Sequence, residues 1–189
     1  MTKKVWLIII ALIVILGAWF WTSYNRLVLA NETVDSAWQQ VETQYQRRFD
    51  LIPNLVAAVK GAMGQEQQVF GDLAKARENY SGAQSVSDKA TAAGQVEGAF
   101  GRLLAIMENY PQLKSIDTVQ TLMAQLEGTE NRISVERSRF NDEVKNFNVV
   151  TKRFPMNVLA NLYNFSDKNY FAAVSGAAEA PKVDLEINK

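Results

Sequence analysis

The chain has 189 residues, 21% charged and 48% hydrophobic, with 20 basic against 20 acidic side chains. That balance argues against nucleic acid as a partner, since phosphate binding needs a clustered basic face. With no histidine and no cysteine, the sequence excludes Cys/His zinc sites, disulfides, Ser–His–Asp and Cys–His catalysis, and Glu-x-x-His di-iron bundles. Acid–base chemistry is left to Asp, Glu, Lys and Tyr. No nucleophile, oxyanion donors or phosphate cradle stand around them, so no enzyme activity, metal or cofactor is expected.

Residues 1–4 form a short basic N-terminus. From Val5 to Trp21 the sequence reads VWLIIIALIVILGAWFW, and the uncharged run extends to Asn25. Residues 5–24 rise about 30 Å as a helix, the thickness of a hydrocarbon core, and are read as a transmembrane helix. Trp6 marks one membrane interface, and Trp19, Trp21 and Tyr24 mark the other. A cleaved secretory signal fits less well: the candidate Val28-Leu29-Ala30 site lies too far from an apolar core that is itself too long. Lys3 and Lys4 precede the span and only Arg26 follows closely. The positive-inside rule then sets the N-terminus in the cytoplasm and the rest of the chain outside it. The span lacks a GxxxG motif, so a homo-oligomer formed through it has no specific support.

No glycine or proline falls between Gly17 and Pro53, so the span can continue directly into a stalk. Val34, Trp38, Val41, Tyr45, Arg48, Ile52, Leu55 and Val59 alternate spacings of four and three, a heptad-like seam. Pro53 should kink this helix, and Gly61 and Gly64 should end it. A second helix is predicted from about Gln65 to Tyr80, with Val69, Phe70, Leu73 and Ala74 inward. Ser81 to Ser87 reads as a loop, and Ser87 or Asp88 as the cap of a third helix carrying Val96, Phe100, Leu103, Leu104 and Met107 inward. Tyr110-Pro111 closes that helix. A fourth runs from Ser115 or Asp117 toward Thr151, with the seam Val119, Leu122, Leu126, Thr129, Ile133, Glu136, Phe140, Val144 and Phe147.

The fold class is thus all-α. An N-terminal transmembrane helix is continuous with an elongated antiparallel bundle of about four helices, which spans residues 25–176 and includes a short C-terminal helix. Residues 177–189 read as a poorly ordered tail. If the stalk and the fourth helix lie antiparallel, residue numbers across the pair sum to about 177, which sets Arg48 beside Glu130 and Val41 beside Glu136.

Polar residues on and beside these seams are the candidate sites: Arg47, Arg48, Asp50, Asn54, Glu130, Arg132 and Glu136. Two readings are open. In one, Arg47, Asp50 and Arg132 are solvated flank charges and Arg48 snorkels outward. In the other, Arg48 with Glu130 and Asp50 with Arg132 form a buried network that fixes helix register. The C-terminal stretch, with Phe154, Leu159, Leu162, Tyr163, Phe165, Tyr170 and Phe171 around a helix from about Met156 to Tyr163, is equally two-sided. It either folds back over the open end of the bundle or lies against the bilayer interface.

The order of motifs resembles the LemA family of bacterial membrane proteins. The resemblance rests on Tyr24-Asn25-Arg26-Leu27-Val28, Ala37-Trp38, and the specific run Arg47-Arg48-Phe49-Asp50-Leu51-Ile52-Pro53-Asn54-Leu55-Val56 followed by Val59-Lys60-Gly61. It continues through Glu108-Asn109-Tyr110-Pro111-Gln112-Leu113-Lys114, Leu126-Glu127-Gly128-Thr129-Glu130-Asn131-Arg132-Ile133 and Phe140-Asn141. Arg153-Phe154-Pro155, Tyr170-Phe171 and Pro181-Lys182-Val183-Asp184 complete it. Phe140 stands where tyrosine is usual, and Asn164-Phe165 where Gly-Phe is usual. The resemblance implies an N-terminal anchor, a helical bundle and no established enzymatic activity. Relatives are sometimes encoded near envelope-stress and membrane-protease genes, which implies envelope maintenance without a mechanism.

The function expected is a non-enzymatic, membrane-anchored scaffold or adaptor with a protein partner. The alternative is a tethered sensor that takes a small ligand into the bundle, with Pro53, Gly61 and Gly64 as hinges. A ligand-binding bundle needs an apolar cavity of a few hundred cubic ångströms, whereas a scaffold packs tight.

Overall fold

The computed structural model describes residues 3–61, 63 and 66–171. In chain order the helices are α1 (Lys3–Lys60), α2 (Gln67–Gly82), α3 (Val86–Met107), a 3-10 turn (Pro111–Ser115), α4 (Asp117–Lys152) and α5 (Met156–Leu162), with no strand among the described residues. The fold is all-α. The expected tail at 177–189 and the expected stop at Gly64 lie outside the described residues. Two compact units emerge from the contacts: Met1–Ile52 with Leu122–Tyr170, and Pro53–Thr121 with Phe171–Lys189.

In the first unit, α1 changes character along its length. One stretch near its start is long and apolar enough to cross a membrane, and none of that stretch is buried within the protein. From Leu27 onward burial becomes periodic, with Leu27, Val34, Val41, Tyr45, Arg48 and Ile52 all shielded. The facing stripe on α4 is Leu122, Leu126, Thr129, Ile133, Phe140, Val144 and Phe147. Two cross-helix contacts fix direction: the Trp38 ring lies 5.2 Å from that of Phe140, and Arg48 bridges Glu130. Ten residues forward along α1 correspond to ten residues back along α4, so the pair is antiparallel at equal rise. Phe140 is 2% exposed and meets Trp38 tilted at 59°. An aromatic ring suits that place without a hydroxyl needing a buried partner.

Beyond α4 the chain turns back on α1. Leu159 and Ala160 of α5 close a small core with Leu27, and Phe20, Val150, Met156 and Phe165 pack around it. Tyr163 rests on Tyr24, ring centroids 4.8 Å apart, and on Phe20 at 6.1 Å. The expected aromatic cluster is therefore divided. Leu159 is enclosed and Phe165 half-buried, while Phe154, Leu162 and Tyr170 are exposed. A seven-residue helix laid on one neighbour can bury only one of its faces.

The stop after α5 has a specific geometry. The Phe165 N–H donates to the Ala160 carbonyl at 2.8 Å and the Asn164 N–H to that of Asn161 at 3.4 Å, the paired bonds of a Schellman motif. The motif needs a left-handed residue, and Asn164 supplies it at φ 59°, a conformation that asparagine tolerates and glycine adopts freely.

The segment that follows is clasped. The Asn148 amide donates to the Lys168 carbonyl and its Oδ1 accepts the Lys168 N–H, both at 2.9 Å. Lys168 in turn reaches Asp35 of α1 at 2.5 Å.

In the second unit, α2 and α3 pack on each other through Val69, Leu73, Ala76 and Tyr80 on one side and Ala93, Val96, Phe100, Leu103 and Met107 on the other. Asn79 donates to Gln95 at 2.8 Å, and the Lys89 ammonium stands 5.6 Å from the Tyr80 ring centre. Leu55, Val59, Met63, Leu113 and Val119 are also buried. Three expectations are corrected. The loop read at Ser81–Ser87 is shorter, because α2 runs on through Gly82. The cap of α3 is Ser85, whose hydroxyl accepts the Asp88 N–H at 3.0 Å and donates to the Asp88 carboxylate at 2.7 Å. The first bond caps the helix and the second fixes the capping hydroxyl, with an acid favourably placed in the first turn, and together they outcompete Ser87 or Asp88 as a start. Ala74, expected inward, is exposed.

The turn after α5 generates a test. Asn164→Gly should hold or raise the melting temperature, and Asn164→Ala should cost about 1 kcal/mol through left-handed strain. Equal stability for the two variants would show that the turn is not held in this form.

Candidate functional site

Arg48 is the one charged side chain buried on the α1 seam, only 3% exposed. It sits there because the three–four spacing leaves position 48 facing α4, whichever residue occupies it. Its guanidinium Nη1 bonds the Glu130 carboxylate, whose own side chain is 44% exposed. One charge is buried and its partner is half in water, so the pair keeps part of its hydration and avoids much of the desolvation cost of a fully enclosed bridge. Thr129, beside Glu130, turns its hydroxyl onto the Leu126 carbonyl at 2.7 Å and thus carries no unmet donor into the seam.

The other candidates separate. Asp50 is exposed and accepts from Gln46 one turn earlier at 2.8 Å. Arg132 is exposed, and no bridge joins it to Asp50 among the described residues. Arg47 is exposed, and Asn54 belongs to the second unit. Glu136, half-shielded on the α4 seam, turns along its own helix to Arg139 at 2.9 Å. The buried element is therefore the Arg48–Glu130 pair, and Asp50 with Arg132 does not extend it.

Trp6, Trp19, Trp21 and Tyr24 all project from α1 with substantial exposure, Trp21 at 72%. Beside Trp19, the α4–α5 connection and α1 enclose an open groove of about 480 Å³, lined by Trp19, Thr22, Ser23, Arg26, Val150, Arg153, Phe154, Pro155 and Met156. The α1 members recur at three- and four-residue steps, which makes them one helix face. Near it, Lys152 pairs with Asp167 at 2.7 Å. The hydrogen bond that Lys152 donates to Asp167, and then the charge of that carboxylate, raise the Lys152 pKa above its usual 10.5.

Two features escaped the sequence reading. Asn148 is buried beside Phe147 and clasps Lys168. A polar residue flanking an apolar seam was its only signal. Arg26 and Arg153 are 127 positions apart in sequence and come to line one groove only through the turn after α4, which no local pattern announces. Among the described residues no group of three or more acidic side chains gathers as a metal site would require.

Two measurements check the seam. A thermal-melt cycle of Arg48→Met, Glu130→Gln and the double variant should give a coupling of about 1–3 kcal/mol, and additivity would mean that the bridge does not form. In the same motif, a Cβ built on Gly128 meets nothing within 4 Å. Gly128→Ala should therefore stabilise α4 by about 0.5–1 kcal/mol, and a loss would reveal crowding at that face.

The family model that matches this chain is that of the LemA family, over residues 37–185, which takes in most of α1 beyond the apolar stretch and all of α2 to α5. Comparison with curated proteins gives no match. The model's span covers the Arg48–Glu130 pair, the α4 seam and α5 together, and on that extent the chain belongs to the LemA family.

Proposed function

We propose that this LemA-family protein is a non-enzymatic scaffold anchored in the bacterial cytoplasmic membrane, which offers its helical surface to a protein partner outside the cytoplasm in service of envelope maintenance. One observation carries the reading: the apolar stretch and the core helix of the first unit are the same helix. Val5 through Leu16 stand exposed along α1, and the chain passes from them to the buried Leu27 and Val34 without leaving helical geometry. So much aliphatic surface in water is unfavourable by about 25 cal/mol per Å², and a bilayer relieves it. With no proline or glycine between Gly17 and Pro53, the span would hold the stripe from Leu27 to Ile52 at a set orientation, as suits a scaffold.

Lys3 and Lys4 before the stretch, against Arg26 after it, favour the N-terminus inside. The family motif from Glu127 to Arg132 supports a docking role. Glu127, Asn131 and Arg132 are exposed on α4, and the open backbone at Gly128 leaves room for a partner to approach closely.

Sidedness tests the orientation. With no native cysteine, Gln84→Cys in the short α2–α3 connection gives one label site and spares the Ser85 cap. Intact cells with a permeabilised outer membrane should label with an impermeant maleimide, and labelling only after lysis would overturn the assignment. Ile13→Arg tests the span. An arginine at a helix centre costs about 2.5–3.5 kcal/mol on insertion, so the membrane-retained fraction should fall.

A further inference from the structure

We propose that the groove between α1 and the α4–α5 connection seats the headgroup of an anionic phospholipid, with its phosphate held by Arg26 and Arg153. The inference rests on the anchored reading above. The groove is lined by Trp19, Ser23, Arg26, Arg153, Phe154 and Met156, among others, with a volume of about 480 Å³, room for a headgroup and the start of its chains. Its polarity is graded along α1. Trp19 lies within the uncharged run and Arg26 just past its end, a rise of about 10 Å over seven residues. That step matches the passage from acyl chain to phosphate at a bilayer surface.

Charge complementarity points to the ligand. Neither Arg26 nor Arg153 has an acidic partner among the described residues, and Asp167, the acid of the segment after α5, is engaged by Lys152. Two guanidiniums at one groove, each a planar fork of donors, fit a phosphate diester. The apolar surroundings continue beyond the groove. Phe154 on its wall and Val158 and Leu162, four residues apart on α5, are 83%, 58% and 65% exposed. Tyr163 holds that face beside Tyr24, at the depth where aromatic and aliphatic side chains enter a headgroup layer.

The test uses the full chain, purified in detergent with equal phosphatidylglycerol and phosphatidylcholine and read by native mass spectrometry. Wild type should retain phosphatidylglycerol preferentially. Arg26→Gln or Arg153→Gln should each reduce that preference about fivefold, the worth of one cation near an anionic surface, and the pair together by more. Arg102→Gln, an exposed arginine of the second unit, should change nothing. Unaltered circular dichroism of the paired variant shows that folding is intact. Should it misfold, Arg26→Lys with Arg153→Lys keeps both charges and should retain most of the preference, and its complete loss there would overturn the proposal. Equal retention of both lipids by wild type would overturn it too, as would displacement of phosphatidylglycerol by millimolar inorganic phosphate, which would make this a free-anion site. Alkaline carbonate extraction separates the two failures. Protein released from membranes sinks the anchor and the site together, whereas protein retained without lipid preference sinks the site alone.

Discussion

Because an α-helix satisfies its backbone internally, it can run from a wholly apolar stretch into a core-facing stripe without a break, and α1 does so. From Gly17 to Pro53 no residue interrupts it. What changes is the side chains: apolar and exposed all round from Val5 to Leu16, then buried on one stripe at Leu27, Val34, Val41, Tyr45 and Arg48. The first unit is organised around that stripe. α4 lies antiparallel on it, α5 covers its lower end at Leu27, and Lys168 returns to it at Asp35. A single glycine or proline near Val34 would uncouple the apolar stretch from the core that depends on it.

Arg48 shows how such a stripe tolerates a charge. An apolar side chain there would pack as well or better, so the arginine is weak evidence for extra stability. Its effect is on alignment. Sliding α4 by one turn would take Glu130 about 5.4 Å from the guanidinium and leave a buried cation without it, while leucine against leucine would barely register the shift. Together with Trp38 against Phe140, the pair sets one register for two long helices whose apolar repeats alone would permit several.

Much of this was legible in the sequence, because helical period and helix length are local properties. The seams of α1 and α4 could be read residue by residue, and equal helix lengths were enough to set Arg48 opposite Glu130. Capping was less legible. Ser85, Ser87 and Asp88 are each acceptable N-caps, and only the reciprocal bonding of Ser85 with Asp88 selects the first. Asn164 could be seen as a departure from the family's glycine, but its left-handed backbone depends on how α5 ends. The outward face at Phe154, Val158 and Leu162 was hidden for a deeper reason. Hydrophobicity says that a residue avoids water, and only the direction of the turn after α4 decides which residues it does not shield.

The order of the two units along the chain bears on how the protein is made. The stretch Pro53–Thr121 of the second unit is continuous in sequence and lies inside the interval separating the two parts of the first. The Lys168–Asp35 bridge closes across 133 residues. Emerging from the ribosome, α1 must wait with Val34, Val41 and Tyr45 uncovered until α4 arrives, while α2 and α3, neighbours in sequence, can pair early. An N-terminal span delivered first to a membrane would hold that sticky stripe at a surface during the interval, away from other nascent chains. The anchor would then serve assembly before it serves the finished molecule.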